Sequence, residues 1–580
     1  MTYVKMLCNT LPNYLLIAVL LLAFLLIFYA MRTWLTGLLS WQEEDNEPSF
    51  FRNVILGIFF HSSVCMAGNF FFKTDRVFSL GLLCFDCLIL LIVARQFLRK
   101  QKSCFRVHRL ADWRIALFLI PLLLCTVGAA GRVGNYDSGL YHFNMIRWIN
   151  EYPVIPGLTN LHGRLDFNQL FFFLTAWLNM VFPISLGYTL ANSCLMLAAQ
   201  IFFLKLFLFP DQLKTEWNFL QSLLALFFFF LFSYLSRWLL SSPSPDLFSS
   251  VLQGFFLFEL IALHYADAPK IVMRFQFLLL LATFMILVKI SNIYLAVSGI
   301  AVTFFLYRKI IVANYRKILP VFIIVLLLTS VWIIRGYILS GYPFYPVKLF
   351  AIDFPWTVEE KAITGELNAI RGWARTPNKN YLQSLHGFSW IIPWIKQYLN
   401  FLSQVFGIFT SGLLALVFFH YSYRAAKHRL FLFPMAVSVA AFSIVAWFFS
   451  APDIRFSEAI ILTFACYPFL VFCTLLAKHV PPHIVLTCIA LPCFSLLFLS
   501  NIIINTGYVV HGRVLSGRNA DYPEPMLGRE ELSPASASLF SAERRSMLRF
   551  TSSVNLFPGK SPGSRVSERY YLRRFQITKQ

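Results

Sequence analysis

Residues 272–288 read VMRFQFLLLLATFMILV, residues 289–292 read KISN, and residues 293–308 read IYLAVSGIAVTFFLYR. Each apolar run approaches the ~20 residues that a helix needs to cross a bilayer. Almost no loop separates them, so the stretch predicts two spans, 272–289 and 291–308, with Lys289 at or near the membrane. In hydrocarbon every backbone N–H and C=O must find a partner inside the protein, and unbroken apolar runs of this length do so as helices. Alternating ten-residue strands, the mark of a spanning barrel, do not occur.

The rest of the chain repeats this pattern. Of 580 residues, 58% are hydrophobic and 13% charged, and the mean hydropathy is +0.67. A soluble domain carries roughly 25% charged residues. Further spans are predicted at 13–31, 53–72, 78–94, 113–130, 184–208, 217–240, 246–266, 318–339, 398–421, 430–449, 457–476 and 484–506. The stretch 169–182 is expected in the interface. The fold class is therefore all-α, a polytopic transmembrane helical bundle of about 13–14 spans. The first apolar segment has a weak basic start and no small-residue cleavage site, so it reads as a retained helix. The 64 phenylalanines are expected as lipid-facing and inter-helix bulk.

Charge gives orientation. The net charge of +22 sits largely in short loops and in the tail, which does not point to nucleic acid. Basic residues in short loops mark the cytoplasmic side. Arg95, Arg99, Lys100, Lys102, Arg106, Arg109 and Arg114 crowd one such loop. Alternation then sets Lys205, Lys214, Lys270, Arg274, Arg308, Lys309, Arg316, Lys317, Arg424, Lys427 and Arg429 on the same side. The opposite, outer face receives the loop through Asn168 that begins Asn135-Tyr136-Asp137-Ser138. It also receives Ser241 to Asp246, the 289–292 turn, the segment 340–397, and Ala451 to Phe456. The predicted organisation is N-terminal spans over 1–130, an external loop with a juxtamembrane helix over 131–168, central spans over 169–339, a second external loop over 340–397, C-terminal spans over 398–506, and a basic, flexible tail over 507–580.

The loop after Ala130 brings acids, bases and aromatic rings together beside a bilayer face. Asp137 can act as general base on a hydroxyl, bind a divalent cation, or cap the helix predicted over 138–150. On that helix Tyr141, Asn144 and Trp148 share the face of Asp137, while His142 lies on another. His142 can bond a phosphate or sugar, or sit satisfied at the interface. His162 and Arg164, after a Pro156-Gly157 turn, suit a phosphate or lipid headgroups. Asp246 follows two prolines at the outer start of a span, as a cap or a functional acid. Lys289 is a membrane-level charge, which marks a functional candidate, with snorkelling as its competitor. Arg371 and Trp373 can form a sugar platform, whereas Trp390 and Trp394 read as interfacial anchors. Asp453 and Arg455 form an ion pair or a second phosphate contact.

Cys84-Phe85-Asp86-Cys87 lies inside a predicted span, so its cysteines read as small buried hydrophobes. No Cys/His cluster has metal-ligand spacing, no glycine-rich nucleotide loop is visible, and no resident cofactor is expected.

The runs from Tyr136 to His142, Pro156-Gly157, Asn160 to Arg164, Ser242 to Asp246, Lys289 to Asn292, Ser340 to Pro343 and Ala451 to Phe456 resemble a group of large bacterial membrane proteins of unknown function, over roughly residues 110 to 460. That group is in turn similar to the GT-C superfamily of polytopic glycosyltransferases. Asp137 matches the acidic residue of their first large external loop, and the 341–346 run is similar to a Gly-Asn-Pro-containing motif. Ser138 stands where a second acid would form a pair. The resemblance implies an inverting sugar transfer from a polyprenyl-phosphate-type donor to a cell-envelope glycan, lipid or protein acceptor. It places the enzyme in the bacterial inner membrane among its lipids. Asp137 would be the base, and Arg164, Lys289 and Arg455 the contacts to the leaving phosphate. The alternatives are a flippase or exporter of lipid-linked glycans, and an oligosaccharide polymerase or ligase. A flippase would need polar residues deep in its spans.

Overall fold

A computed structural model describes residues 14–31, 50–100, 113–131, 133, 135–181, 187–209, 215–236, 239–376, 384–423 and 434–496. The tail 507–580 lies outside these, as do Arg132, Lys102, Arg106, Arg109, Lys214, Arg424, Lys427 and Arg429. Among the described residues all regular structure is helical, and eleven helices are long and apolar enough to cross a membrane. This is the architecture of a multi-pass membrane protein.

The helices run in chain order as α1 (Tyr14–Met31), α2 (Phe50–Gly68), α3 (Arg76–Lys100), α4 (Leu119–Ala129), α5 (Phe143–Glu151), α6 (Phe171–Val181), α7 (Gly187–Leu208), α8 (Glu216–Leu235) and α9 (Pro245–His264). They continue as α10 (Ala268–Val288), α11 (Ile293–Ala313), α12 (Tyr315–Ser340), α13 (Glu360–Arg375), α14 (Ile391–Gln397), α15 (Leu399–Tyr423), α16 (Pro434–Ser450), α17 (Glu458–Leu476) and α18 (Pro482–Leu496). Three expected spans, at 113–130, 430–449 and 484–506, are represented by shorter apolar helices, Arg114–Ala129, Met435–Ser450 and Pro482–Leu496.

α9 forms the axis of the bundle, buried along almost its whole length, and α7, α8, α10 and α17 surround it. Phenylalanine fills the space between them. Phe203 packs against Phe228 and Phe258 at 5.3 Å each, and Phe51 meets Phe255 at 4.5 Å. Much of the phenylalanine excess is therefore core. Close helix contact in a membrane depends on small residues, since lipid tails give no hydrophobic drive for helices to associate. Gly57 meets this need: a Cβ there would lie 2.0 Å from the Phe28 carbonyl oxygen of α1. The lipid-facing periphery is α3, α12 and α15, and α15 is the least buried of the three.

The stretch 169–182, expected in the interface, forms α6 inside the bundle instead. Phe172, Phe173, Leu174, Ala176 and Trp177 are fully buried among α2, α3, α5 and α7. An apolar run too short to span is stabilised here by walls of protein rather than by lipid. Cys84 and Cys87 point outward, while Asp86 between them is buried. Asp86 Oδ2 lies 3.0 Å from His61 Nε2 of α2, with Trp177 4.0 Å from the same ring. A second deep ionic group joins three helices. Glu259 of α9 accepts two bonds from Arg52, at 2.8 and 2.7 Å, and one from Arg274 at 2.7 Å. A carboxylate buried at this depth is tolerated only when paired and hydrogen-bonded in this way.

Candidate functional site

At one end of the bundle the polar turns fold onto one another. Thr74 donates its N–H to Ile149 O, Gly157 to Ile338 O, and Leu170 to Leu287 O. These bonds tie the 69–75 turn, the loop after α5, and the ends of α10 and α12 into one layer. Gly157 sits at φ +72°, in the left-handed region that favours glycine.

Asp137 opens this layer. Its N–H donates to Asn135 Oδ1 at 3.0 Å, so Asn135 starts the helix and the Asp137 side chain caps nothing. Ser138–His142 then forms a π-turn ahead of α5, a feature frequent at functional sites. Freed from capping, the Asp137 carboxylate reaches two arginines. Oδ1 accepts from Arg164 at 2.9 Å, and Oδ2 accepts from Arg455 at 3.3 Å.

Each partner is set by a local device. Arg164 rides a 3-10 turn, Gly163–Asp166, whose cap is His162: Nδ1 accepts the Arg164 backbone N–H at 3.2 Å. His162 thereby holds the backbone that carries Arg164. Arg164 also reaches Glu366 of α13 at 3.4 Å and lies 5.5 Å over the Tyr141 ring. Asp246 is in the first turn of α9. Ser244 is the cap there, accepting from the Asp246 N–H, and Pro245 is the first helical residue. The Asp246 carboxylate therefore pairs with Lys289 Nζ instead of capping. Lys289 is extended (φ −159°) where α10 stops before the 290–292 turn, and its ammonium lies 3.7 Å from the Phe456 ring centre. It does not snorkel.

Arg455 completes the network. Asp453 Oδ1 caps the turn Ile454–Phe456, and the guanidinium forks onto Asp453 with bonds of 2.8 to 3.2 Å. From there it reaches Asp137 at 3.3 Å and Asp246 at 3.7 Å. The backbone of the turn is pinned by Trp394 Nε1 to Pro452 O, Trp447 Nε1 to Asp453 O, and Gln253 Nε2 to Phe456 O. Trp390 and Trp394 are thus buried supports, not interfacial anchors. Burial opposes the charge of Arg455, but Asp453 and Asp246 outweigh it and hold the guanidinium firmly protonated. The same balance, with Asp137 and Glu366 as the opposing carboxylates, applies to Arg164.

His142 lies beneath this layer, 1% exposed, with Nδ1 3.2 Å from Ser138 Oγ. Ser138 Oγ in turn shares a 2.6 Å bond with Ser242 Oγ. Burial lowers the His142 ring to about 4, against the pull of Asp137 and Asp246. His142 is thus covered by the layer above it and braces that layer through the Ser138–Ser242 chain. Burial also pushes the Asp166 carboxyl well up, with Ser340, Arg335 and Thr159 beside it.

Asp137, Arg164, Asp246, Lys289, Asp453 and Arg455 thus form one connected group. Arg371 and Trp373 stand on the exposed side of α13, and α13 enters the group through Glu366 instead.

Residues 15–462 match the family described as Domain of unknown function (DUF8201). The chain belongs to that family. Every member of the ionic group lies within the DUF8201 match. No curated protein and no solved structure matches the chain.

The sequence reading missed Glu366. Its signal was an acidic residue in the middle of a short amphipathic segment that runs from Glu360 to Arg375. Burial leaves the Glu366 carboxyl raised, with Arg164 opposing.

Proposed function

We propose that this chain is a membrane glycosyltransferase. It moves a sugar from a polyprenyl-phosphate-type donor to a hydroxyl of a cell-envelope acceptor, at the outer face of the bacterial inner membrane. The observation that supports this most is the convergence of Asp137 with Arg455 from 318 positions away, at the rim of an apolar bundle. A carboxylate there can take the proton of an acceptor hydroxyl. The guanidinium beside it can stabilise the charge that grows on the leaving phosphate. Arg164 orients the carboxylate through Oδ1. Lys289 and Asp246 form a paired base to the site.

The deep groups Glu259–Arg52–Arg274 and His61–Asp86 are the feature that a flippase reading would use. Glu259, however, is saturated by three short bonds, which suits a fixed joint better than a moving path.

The experiment is incubation of purified full-length protein with polyprenyl-phosphate sugars, reading release of the carrier. Asp137→Asn is expected to lower turnover by on the order of 10²–10⁴ while leaving the protein folded in the membrane. Wild-type turnover in that variant would remove the proposal.

A further inference from the structure

The three cations of the site are not equivalent. Lys289 is closed off: its side chain is 12% exposed and locked on Asp246, under the Phe456 ring. Arg164 is 21% exposed and divided between Asp137 at 2.9 Å and Glu366 at 3.4 Å. Arg455 is 44% exposed. Its bonds to Asp453 are short, but its reaches to Asp137 and Asp246, at 3.3 and 3.7 Å, are at or beyond the limit of a useful hydrogen bond. The backbone that carries it is held by Trp394, Trp447 and Gln253, and the fork on Asp453 holds one edge of the guanidinium. Only the outward edge of the guanidinium is free to exchange partners.

A phosphate ester offers that edge two charged oxygens at matched spacing, with bonds of about 2.7–2.9 Å. Such bonds are shorter and stronger than the two long ones they replace. The fork on Asp453 can persist throughout. Asp137 Oδ1 stays on Arg164, and Oδ2 loses its only described side-chain partner.

We propose that Arg455 is an anion-operated gate on Asp137. A phosphate mono- or diester binds the outward edge of the guanidinium, draws it from Asp137 Oδ2, and leaves that oxygen open to a hydroxyl. The anionic ligand therefore binds first and the hydroxyl ligand second. The unliganded site keeps its carboxylate covered, which guards against an acceptor, or water, being activated with no donor in place. The inference rests on the proposed reading only for the class of ligand, a phosphate ester.

The test is carboxylate footprinting of the full chain in nanodiscs, using a water-soluble carbodiimide with an amine and reading each peptide by mass spectrometry. The probe is farnesyl phosphate, and farnesol, with the same tail and no anion, is the control. Labelling of Asp137 is expected to rise several-fold with farnesyl phosphate and stay level with farnesol. Asp246, held by Lys289, is expected to stay level in both. In Arg455→Gln, Asp137 labelling should start high and ignore the phosphate. In Arg455→Lys, which keeps the charge but not the fork, it should start between the two. Unchanged or reduced Asp137 labelling in the wild type with saturating farnesyl phosphate overturns the gate. An equal rise with farnesol does so as well. A gate response without sugar transfer from any donor removes the transferase reading alone, and transfer without a gate response removes the gate alone.

Discussion

The chain holds two clusters built from arginines and carboxylates, and they contrast in almost every physical respect. In the deep one, Glu259 is fully buried and both its oxygens are saturated by bonds of 2.7 to 2.8 Å from Arg52 and Arg274. At the rim, Arg455 is shared among three carboxylates, and its contacts lengthen from 2.8 to 3.7 Å as they leave Asp453. In a medium of low dielectric an unsatisfied charge is very costly, so the deep cluster closes on itself. Beside water the penalty is smaller, and loose, shared contacts persist. The same residue types therefore make a joint in one place and an exchangeable surface in the other.

The comparison is sharpest where each cluster loses its acid. Asp137→Asn should lower turnover by on the order of 10²–10⁴ with little change in thermal stability. Glu259→Gln should do the reverse. It leaves two buried guanidiniums facing a neutral amide, at a cost of about 3–5 kcal/mol, read as a large drop in melting temperature. Turnover per folded molecule should stay near wild type. If Glu259→Gln folds as well as the wild type, the contrast fails.

Two buried groups next to the rim should titrate in opposite senses. His142 has its folded value lowered to about 4 by burial, below the ordinary 6.5. The unfolded chain then binds the extra proton between those values, so stability falls as pH drops from about 6.5 to 4. The full effect is roughly 3 kcal/mol. His142→Asn should flatten this limb of a melting-temperature profile. Asp166 is raised by burial, offset in part by Ser340, Arg335 and Thr159. Its contribution is present at pH below the ordinary carboxyl value and is lost as pH rises through the folded one. Asp166→Asn, a neutral stand-in for the protonated acid, should melt within about 1 kcal/mol of wild type at neutral pH and lose less stability on going alkaline. The smallest effect belongs to Arg147→Ala. Its pair with Glu151 is i,i+4 and open to solvent, and should change stability by no more than about 0.5 kcal/mol.

Composition and run length made the helical membrane architecture legible, because hydrocarbon leaves the backbone few options. Alternation of the spans gathered the polar turns at one end. Which charge meets which was not legible. Asp246 and Lys289 are 43 positions apart, and Asp137 and Arg455 are 318 apart, distances over which no local periodicity carries information. Capping, one of the roles open to Asp137 and Asp246, falls to Asn135 and Ser244, which releases both carboxylates. α6 was misplaced because run length reports the need for an apolar environment and not whether lipid or protein supplies it.

The π-turn at 138–142 has a consequence for register. A π-turn is an α-helix with one residue inserted, and it absorbs that residue by widening rather than by turning the helix on either side. Gly139 sits within the turn, and beyond its own turn and chain neighbours no atom lies within 4 Å of where its Cβ would be. Deleting it would let the segment close to an ordinary α-helix while Asp137 and α5 keep their relative bearing. The carboxylate would still face the arginines, whereas the same deletion inside α5 would turn everything beyond it by about 100°. The turn is therefore the one place in this segment where the chain can change length by one residue and keep its charges in register.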